Sequence, residues 1–199
     1  MRSGRVVVFD LGGVLVENTG EQGLSSLLPY RLSREEIWAR WLASEAVRRF
    51  ERGEIPPEAF AARFIEEWRL QLEPAAFIEA FAAWPRGLFE GAAGLLRNLR
   101  AQHRVACLTN NNPLHWSRFP ELPGLFDSIF ASHLTGFLKP DAEAFEHALR
   151  ELDVRADAVW FFDDLLQNVE AARRVGMRAL QVRGFAEVEP ALRAEGLYS

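Results

Sequence analysis

The feature that most constrains the fold of this 199-residue chain is a set of short apolar runs that end at polar residues. They lie at residues 5–9, 105–108, 128–131, 158–162 and 179–182. They are too short for helices and largely apolar on both sides, which is typical of strands buried on both faces of a parallel sheet. Segments with helical spacing lie between them, at residues 92–102, 142–152 and 168–175. This alternation predicts an α/β fold, a doubly wound, Rossmann-like parallel sheet.

Residues 17–85 interrupt this alternation, because no β-rich run occurs among them. A capping box at Ser33 predicts the start of one helix. A second helix carries aromatic residues at every fourth position from Phe60 to Trp68, and Pro74 opens a third. The segment is therefore predicted to be entirely helical, with its aromatic side chains mainly forming its own core.

These patterns predict two units. One is an α/β core built from residues 1–16 and 86–199, and the other is a helical domain of residues 17–85 inserted into it. An insert of roughly 70 residues is an ordinary size for a small domain.

Composition excludes several classes of protein. The chain has 23 Lys and Arg against 28 Asp and Glu, a net charge of −5, which disfavours a nucleic-acid binder, since such proteins normally carry a basic stripe. It contains no run of about 18 apolar residues, so no membrane helix is expected. Cys107 is the only cysteine, so an intrachain disulfide is impossible. We expect a cytoplasmic protein, either a monomer or a homodimer, with no nucleic-acid or membrane partner.

Polar residues follow three of the predicted strands. Asp10 follows the first, Thr109 and Asn110 follow the second, and Asp163 and Asp164 follow the fourth. Ligands bind outside the carboxyl ends of strands in an open parallel sheet, so these groups should face one crevice. Converging carboxylates repel one another unless a cation such as Mg²⁺ lies between them, and Mg²⁺ is commonly shared with substrate phosphate. An aspartate is also a known nucleophile, so the sequence predicts a Mg²⁺-assisted phosphoryl-transfer site.

Lys139 is the only lysine of the chain, and every other basic side chain is arginine. A position that stays lysine in such a chain suggests a need for a compact ammonium point charge. Lys139 follows the third predicted strand, which brings it toward the same sheet edge. We therefore expect its ammonium to bind phosphate there.

Four motifs, in this order, resemble those of the haloacid dehalogenase superfamily. They are Val7-Val8-Phe9-Asp10-Leu11-Gly12-Gly13-Val14-Leu15, Leu108-Thr109-Asn110, Leu138-Lys139-Pro140-Asp141, and Phe161-Phe162-Asp163-Asp164 followed by Asn168-Val169-Glu170-Ala171-Ala172. The resemblance covers the whole chain, and the insert falls where that superfamily places its helical C1 cap. It extends to bacterial sugar-phosphate phosphatases such as the α-D-glucose-1-phosphate phosphatases, which share an Arg-Gly-Glu-Ile stretch in the cap, here residues 52–55.

The resemblance implies a phosphatase whose substrate is a small phosphate ester, with a sugar phosphate favoured, and whose cofactor is Mg²⁺. Asp10 would attack phosphorus and form an aspartyl-phosphate. Asp10, Asp164 and the backbone carbonyl of Gly12 would bind Mg²⁺, with Asp163 as a further ligand or directly behind one.

The resemblance also implies that Thr109, Asn110 and Lys139 bind the phosphoryl oxygens. The cap would close over the substrate, exclude water and select the leaving group.

One position departs from the phosphatase pattern, which usually has a second aspartate two residues after the nucleophile as general acid and base. Here that position is Gly12. We expect either that Glu17, at the edge of the insert, supplies the proton, or that the leaving group needs little help. Two other functions stay open: a 2-haloacid dehalogenase, which also lacks this aspartate, and a non-catalytic metabolite-binding protein. The adjacent acids Asp163 and Asp164 favour the phosphatase over the dehalogenase.

Arg52 and Glu54 lie in a polar, glycine-containing turn between predicted helices of the insert. We expect both side chains to contact the substrate.

Overall fold

The computed structural model describes residues 4–198; residues 1–3 and 199, which the sequence assigned to the core, lie outside the described residues. The strands are β1 Val6–Phe9, β2 Val16–Asn18, β3 Pro85–Leu88, β4 Arg104–Thr109, β5 Ser128–Ala131, β6 Val159–Asp163 and β7 Arg178–Gln181. The helices are α1 Gly20–Leu27, α2 Arg34–Ala43, α3 Glu45–Glu51, α4 Pro57–Trp68, α5 Pro74–Ala82, α6 Ala92–Gln102, α7 Pro113–Trp116, α8 Leu122–Leu125, α9 Ser132–Thr135, α10 Ala142–Leu152, α11 Leu166–Arg174 and α12 Val188–Ala194. Short 3₁₀ turns cover Ala156–Ala158 and Phe185–Glu187.

Five strands form one sheet in the order β5-β4-β1-β6-β7, and every pair in it is parallel. The predicted doubly wound α/β fold is confirmed. Because β1 lies between β4 and β6 in matched register, the residues that follow these three strands emerge side by side at one edge. That edge is the carboxyl end of the sheet, where the sequence predicts the site.

The sheet is covered on both faces, as the uniformly apolar strands require. Val7 and Phe9 of β1 belong to a cluster that includes side chains of α6 and α12. Val6 and Val8 point the other way, into a cluster that includes α10 and α11. Alternation along the strand therefore buries the whole of β1, and the rigid centre of the molecule positions the residue that follows it.

The segment between β2 and β3 is helical and has its own core. Helices α1–α5 enclose a third apolar cluster, in which Phe60, Phe64 and Trp68 pack together as their four-residue spacing predicts. The antiparallel pair β2 and β3 carries the chain from the core into the insert and back. We call α1–α5 the helical insert.

The insert contains five helices rather than the three that the sequence predicts. The capping box at Ser33 is present and starts α2. The chain then breaks at Ser44, whose hydroxyl accepts a hydrogen bond from the backbone N–H of Val47 and so caps a new helix, α3. Helix α1 was not predicted at all, because its composition is rich in Gly and Ser. Within residues 4–198, no helix has both the length and the apolar character needed to span a membrane.

Candidate active site

Three carboxylates meet at the carboxyl edge of the sheet. Asp10 directly follows β1, Asp163 is the last residue of β6, and Asp164 follows it. One oxygen from each carboxylate lies within 4.8 Å of the others. The structure thus brings together the three acids that the sequence predicted to converge.

The ammonium of Lys139 lies between two of these acids. Its Nζ is 2.9 Å from Oδ1 of Asp10 and 2.6 Å from Oδ2 of Asp163, and its side chain is 2% exposed. Burial alone would lower the pKa of Lys139, but the two carboxylates outweigh it and raise that pKa above the ordinary range for lysine. Lys139 is therefore charged at every physiological pH and fixed beside Asp10.

The two adjacent aspartates have different surroundings. The Asp163 carboxylate accepts hydrogen bonds from Lys139, from the side-chain amide of Asn168 at 3.0 and 3.1 Å, and from the backbone N–H of Leu165 at 2.8 Å. Its side chain is fully buried. Asp164 instead lines the cavity described below. Asp163 thus holds Lys139 in place, whereas Asp164 is available to a ligand.

The charges of this cluster fit a divalent cation. Three carboxylates face one ammonium, which leaves two negative charges uncompensated. Burial, with the neighbouring Asp10 and Asp163, raises the pKa of Asp164 to about 7. Burial also raises the pKa of Asp10, against the effect of Lys139. These side chains offer only oxygen atoms as ligands, and their raised pKa values mean that they ionise less readily when no cation is present. Both properties suit Mg²⁺.

The glycine turn after Asp10 packs closely on Asp164. Gly13 has a positive φ of 74°, and a Cβ there would lie 2.9 Å from Oδ2 of Asp164. Gly12 lines the cavity, and a Cβ added to it would approach the side-chain amide of Asn18 at 3.3 Å. The space beside Gly12 is therefore partly filled by an amide, which cannot transfer a proton at neutral pH.

Asn110 lies at the expected edge, but its side chain is already bonded. Its amide donates to the backbone carbonyl of Lys139 at 2.8 Å and accepts from the backbone N–H of Lys139 at 2.9 Å. Thr109 is buried, and its hydroxyl donates to the Asn110 carbonyl at 3.3 Å. The side chain of Asn110 therefore positions the lysine, and its backbone is what remains for a phosphoryl oxygen.

A cavity of about 1060 Å³ opens over these groups and runs under the helical insert. Its floor is polar and includes Asp10, Gly12, Asn110, Lys139 and Asp164. Its upper wall is largely aromatic and aliphatic, and comprises Leu24, Ile37, Trp38, Trp41, Leu42 and Trp84. Glu17 also lines it, at the exposed rim. The cavity is large enough for a drug-sized ligand.

Arg52 and Glu54 do not line this cavity. Arg52 donates to Oδ2 of Asp141 at 3.1 Å, and Glu54 pairs with Arg49 at 3.3 Å. Both lie instead in a shallower pocket of about 320 Å³ on the outside of the junction between insert and core, with Phe137 among its lining residues. Arg52 pairs with Asp141 of the core and Glu54 pairs within the insert, so the structure does not bring either side chain to the predicted substrate.

One cavity-lining acid escaped the sequence analysis. Glu51 is the last residue of α3, is 8% exposed and lines the cavity together with Asp10 and Lys139. It follows Phe50 and lies one helical turn after Val47, so it occupies the buried side of its helix. A carboxylate placed on an apolar helix face was the signal that would have identified it.

Comparison with known proteins gives a consistent family. The sequence model of the haloacid dehalogenase-like hydrolases matches residues 5–176. The sesquiterpene phosphatase astK of Aspergillus oryzae is 32% identical over 185 residues, 89% of this chain and 89% of that protein. The D-ribitol-5-phosphate phosphatase of Bacteroides thetaiotaomicron is 20% identical over 191 residues, 91% and 93% of the two chains.

A solved structure shows the same fold. It is that of a family enzyme from Bacteroides thetaiotaomicron in complex with magnesium and inorganic phosphate, and it superimposes with a TM-score of 0.70 at 19% identity. The match covers 89% of this chain and 93% of that one.

Proposed function

The chain belongs to the haloacid dehalogenase-like hydrolases, and from that premise we propose that it is a Mg²⁺-dependent phosphatase of small phosphorylated metabolites that reacts through an aspartyl-phosphate on Asp10. One observation carries the proposal. A buried lysine ammonium holds Asp10 at the carboxyl edge of the sheet, beside two further aspartates.

The first step is attack by a carboxylate oxygen of Asp10 on phosphorus. Lys139 fixes the direction of that carboxylate and offers its ammonium to the phosphoryl oxygens. Thr109 and Asn110 would complete the phosphate site at the end of β4. Water then cleaves the aspartyl-phosphate and restores Asp10.

The cation would be held by Asp10, Asp164 and the backbone carbonyl of Gly12, with Asp163 behind them. When bound, Mg²⁺ supplies positive charge that balances the carboxylates and the phosphate. Asp163 would support this arrangement without contacting the cation itself, because its oxygens already accept hydrogen bonds from Lys139 and Asn168.

The helical insert acts in this proposal as the cap. It covers the cavity above Asp10 and provides most of the apolar wall, so it excludes water and selects the leaving group. A sugar phosphate is the first substrate class that we propose, since the cavity combines tryptophan faces with polar groups such as Asn112 and Gln181.

A second substrate class is an isoprenoid monophosphate. The continuous wall of Trp38, Trp41, Trp84 and Ile37 favours an apolar leaving group. The relative from Aspergillus oryzae, named as a sesquiterpene phosphatase, is similar to this chain over most of its length.

The test is release of inorganic phosphate from a panel of sugar phosphates, prenyl monophosphates, nucleotides and phosphorylated small acids, with Mg²⁺ and with EDTA. We expect Mg²⁺-dependent release from at least one class, and loss of it in Asp10→Asn. Asp157→Asn, an exposed residue before the amino end of β6, is the matched control and should keep wild-type rates. Release of halide from 2-haloacids in place of phosphate would instead identify a dehalogenase. Tight binding of a phosphorylated ligand without turnover would identify a binding protein.

A further inference from the structure

The proposed reaction needs a proton for the leaving group, and no titratable side chain stands at Gly12. Among the described residues that line the cavity, Glu17 and Glu35 are exposed, and Glu21 is half-buried. Glu51 differs from these three because it is buried and comes from α3, the helix that pairs with Asp141 of the Lys139 loop. A proton donor that acts in a closed, water-poor cavity has to be buried with its substrate.

Two ion pairs fix the helix that carries Glu51. Arg48 and Arg52, three residues before and one after Glu51, both donate to Oδ2 of Asp141, at 2.5 and 3.1 Å. Asp141 lies two residues after Lys139 in the same loop. Residues three and four apart share a helix face, so Glu51 and Arg48 project to the same side of α3, toward that loop.

Close packing just after α3 fixes the distance between this helix and the core. Gly53 has a positive φ of 74°, and a Cβ there would lie 2.6 Å from the backbone oxygen of His133. Only glycine permits this approach. Helix α3 therefore contacts the core at Arg48 and again, just after its end, at Gly53. Glu51 lies between these two contacts.

Within the proposed function, we propose that Glu51 is the catalytic acid and base that replaces the missing aspartate. As an Asp10 oxygen bonds to phosphorus, the bond from phosphorus to the leaving oxygen breaks, and the Glu51 carboxyl gives its proton to that oxygen. The alcohol departs and Glu51 is left as a carboxylate. That carboxylate then takes a proton from the water that attacks the aspartyl-phosphate, which returns Asp10 as a carboxylate, Glu51 as an acid and phosphate as product.

The electrostatics of the cavity agree with this assignment. Burial raises the pKa of Glu51 to about 8, although Lys139 and Arg48 act to lower it and Asp10 acts to raise it. The side chain of Trp41 also acts on the same carboxyl and lowers its pKa. At neutral pH the side chain therefore holds a proton and is close to the pH at which it can also release one.

His115, a further titratable group that lines the cavity, is unsuited to this task. Its Nε2 donates to the backbone carbonyl of Phe81 at 2.8 Å, and its Nδ1 lies 3.1 Å from the side-chain amide of Asn112. Burial lowers its pKa to about 4, so the ring is neutral and both nitrogens are occupied.

The experiment compares Glu51→Gln on two esters that differ only in their need for a proton. A nitrophenolate leaves without protonation, whereas an alkoxide does not. We expect kcat/KM for the alkyl or sugar ester to fall about 10²–10⁴-fold, which is the rate factor that general acid catalysis typically contributes. The kcat/KM for nitrophenyl phosphate should change little, because its leaving group departs without a proton. Glu51→Asp should restore part of the alkyl-ester activity.

Glu45→Gln is the matched control, because Glu45 is exposed at the start of the same helix and does not line the cavity. Equal losses on both esters in Glu51→Gln, with the fold intact by circular dichroism, would reduce Glu51 to a structural role and overturn the assignment. No loss on either ester would do the same, and so would a leaving-group-dependent loss in Glu17→Gln in its place. If wild-type protein cleaved neither ester with Mg²⁺ present, the proposed phosphatase function itself would fail.

Discussion

Two neighbouring aspartates at the end of β6 illustrate how burial divides roles between identical residues. Asp163 is enclosed by donors and fixes the ammonium of Lys139, whereas Asp164 faces the cavity. The sequence predicted that both acids lie at the site, because both follow a buried strand. It could not assign their separate tasks, since these depend on Asn168 and Lys139 arriving from other elements.

The same limit applies to Asn110. Its place after β4 follows from the strand pattern, but the pair of hydrogen bonds to the Lys139 backbone joins residues 29 apart in sequence. Glu51 is the opposite case. The sequence shows that Glu51 shares a helix face with apolar residues. Its position in the cavity with Asp10 and Lys139 depends on how α3 packs against the Lys139 loop.

Protonation of Glu51 should make the stability of the protein depend on pH. The carboxyl is buried, so its folded-state pKa of about 8 lies above the ordinary glutamate pKa of 4.5 that applies when the chain unfolds. The folded state then binds the extra proton between these values, and stability falls as pH rises from about 4.5 to about 8. In EDTA, the Glu51→Gln variant should match wild type near pH 5 and exceed it in free energy of unfolding above pH 8.

Urea denaturation across that pH range measures this effect, with Glu45→Gln as the control that should keep the wild-type slope. Asp10, Lys139 and Arg48, which act on the Glu51 carboxyl, are present in wild type and in both variants, so the comparison isolates the carboxyl of residue 51. A variant whose pH profile parallels that of wild type would show that Glu51 stays ionised in the folded protein.

At the scale of helices and strands, regular periodicity was the reliable guide. The bounds of α6 and α10 agree with the helical segments read from the sequence, and the five core strands lie where apolar runs predict them. The break between α2 and α3 was missed because it depends on one capping serine. The positions of Arg48 and Arg52 depend on Asp141, which lies 93 and 89 residues away along the chain.

The turn after α3 provides a test of the contact between insert and core. Gly53→Ala should destabilise the protein in two ways, through the left-handed φ, at roughly 1–2 kcal/mol, and through collision with the backbone of His133. Gly136→Ala isolates the first effect, because Gly136 has a similar φ of 79° and an added Cβ would meet nothing within 4 Å. We expect the larger loss of free energy of unfolding for Gly53→Ala. Equal losses in the two variants would mean that α3 does not rest on His133 in solution.

At the scale of the whole molecule, the two units differ in what the sequence reveals about them. The core carries the three converging aspartates at its strand ends, so their convergence was predictable from the order and spacing of the strands. The helical insert carries the apolar wall of the cavity, which the leaving group of the proposed reaction would contact, and the shape of that wall arises from how five short helices pack. Substrate class therefore depends on packing between aromatic side chains that no local pattern specifies.

Metal binding should stabilise the molecule as a whole. Mg²⁺ that binds only the folded state adds about 2.7 kcal/mol at a concentration one hundred times its Kd. We expect Mg²⁺ to raise the Tm of wild type, and Asp164→Asn to abolish most of this increase while raising the Tm in EDTA, because it removes one of three crowded carboxylates. Differential scanning fluorimetry measures both effects, and Asp157→Asn should behave as wild type. An unchanged Tm with Mg²⁺ would contradict the proposed metal site.

The solitary lysine also affects how the protein can be handled at the bench. Lys139 is 2% exposed and its amine is shared between two carboxylates, so among side chains no accessible primary amine is left for an activated ester or an aldehyde. Amine-directed dyes, biotin and resins should therefore leave Lys139, and with it the proposed active site, unmodified in the folded protein. Acylation of Lys139 would then report that the cavity has opened or that the chain has unfolded, which makes covalent labelling a probe of its enclosure.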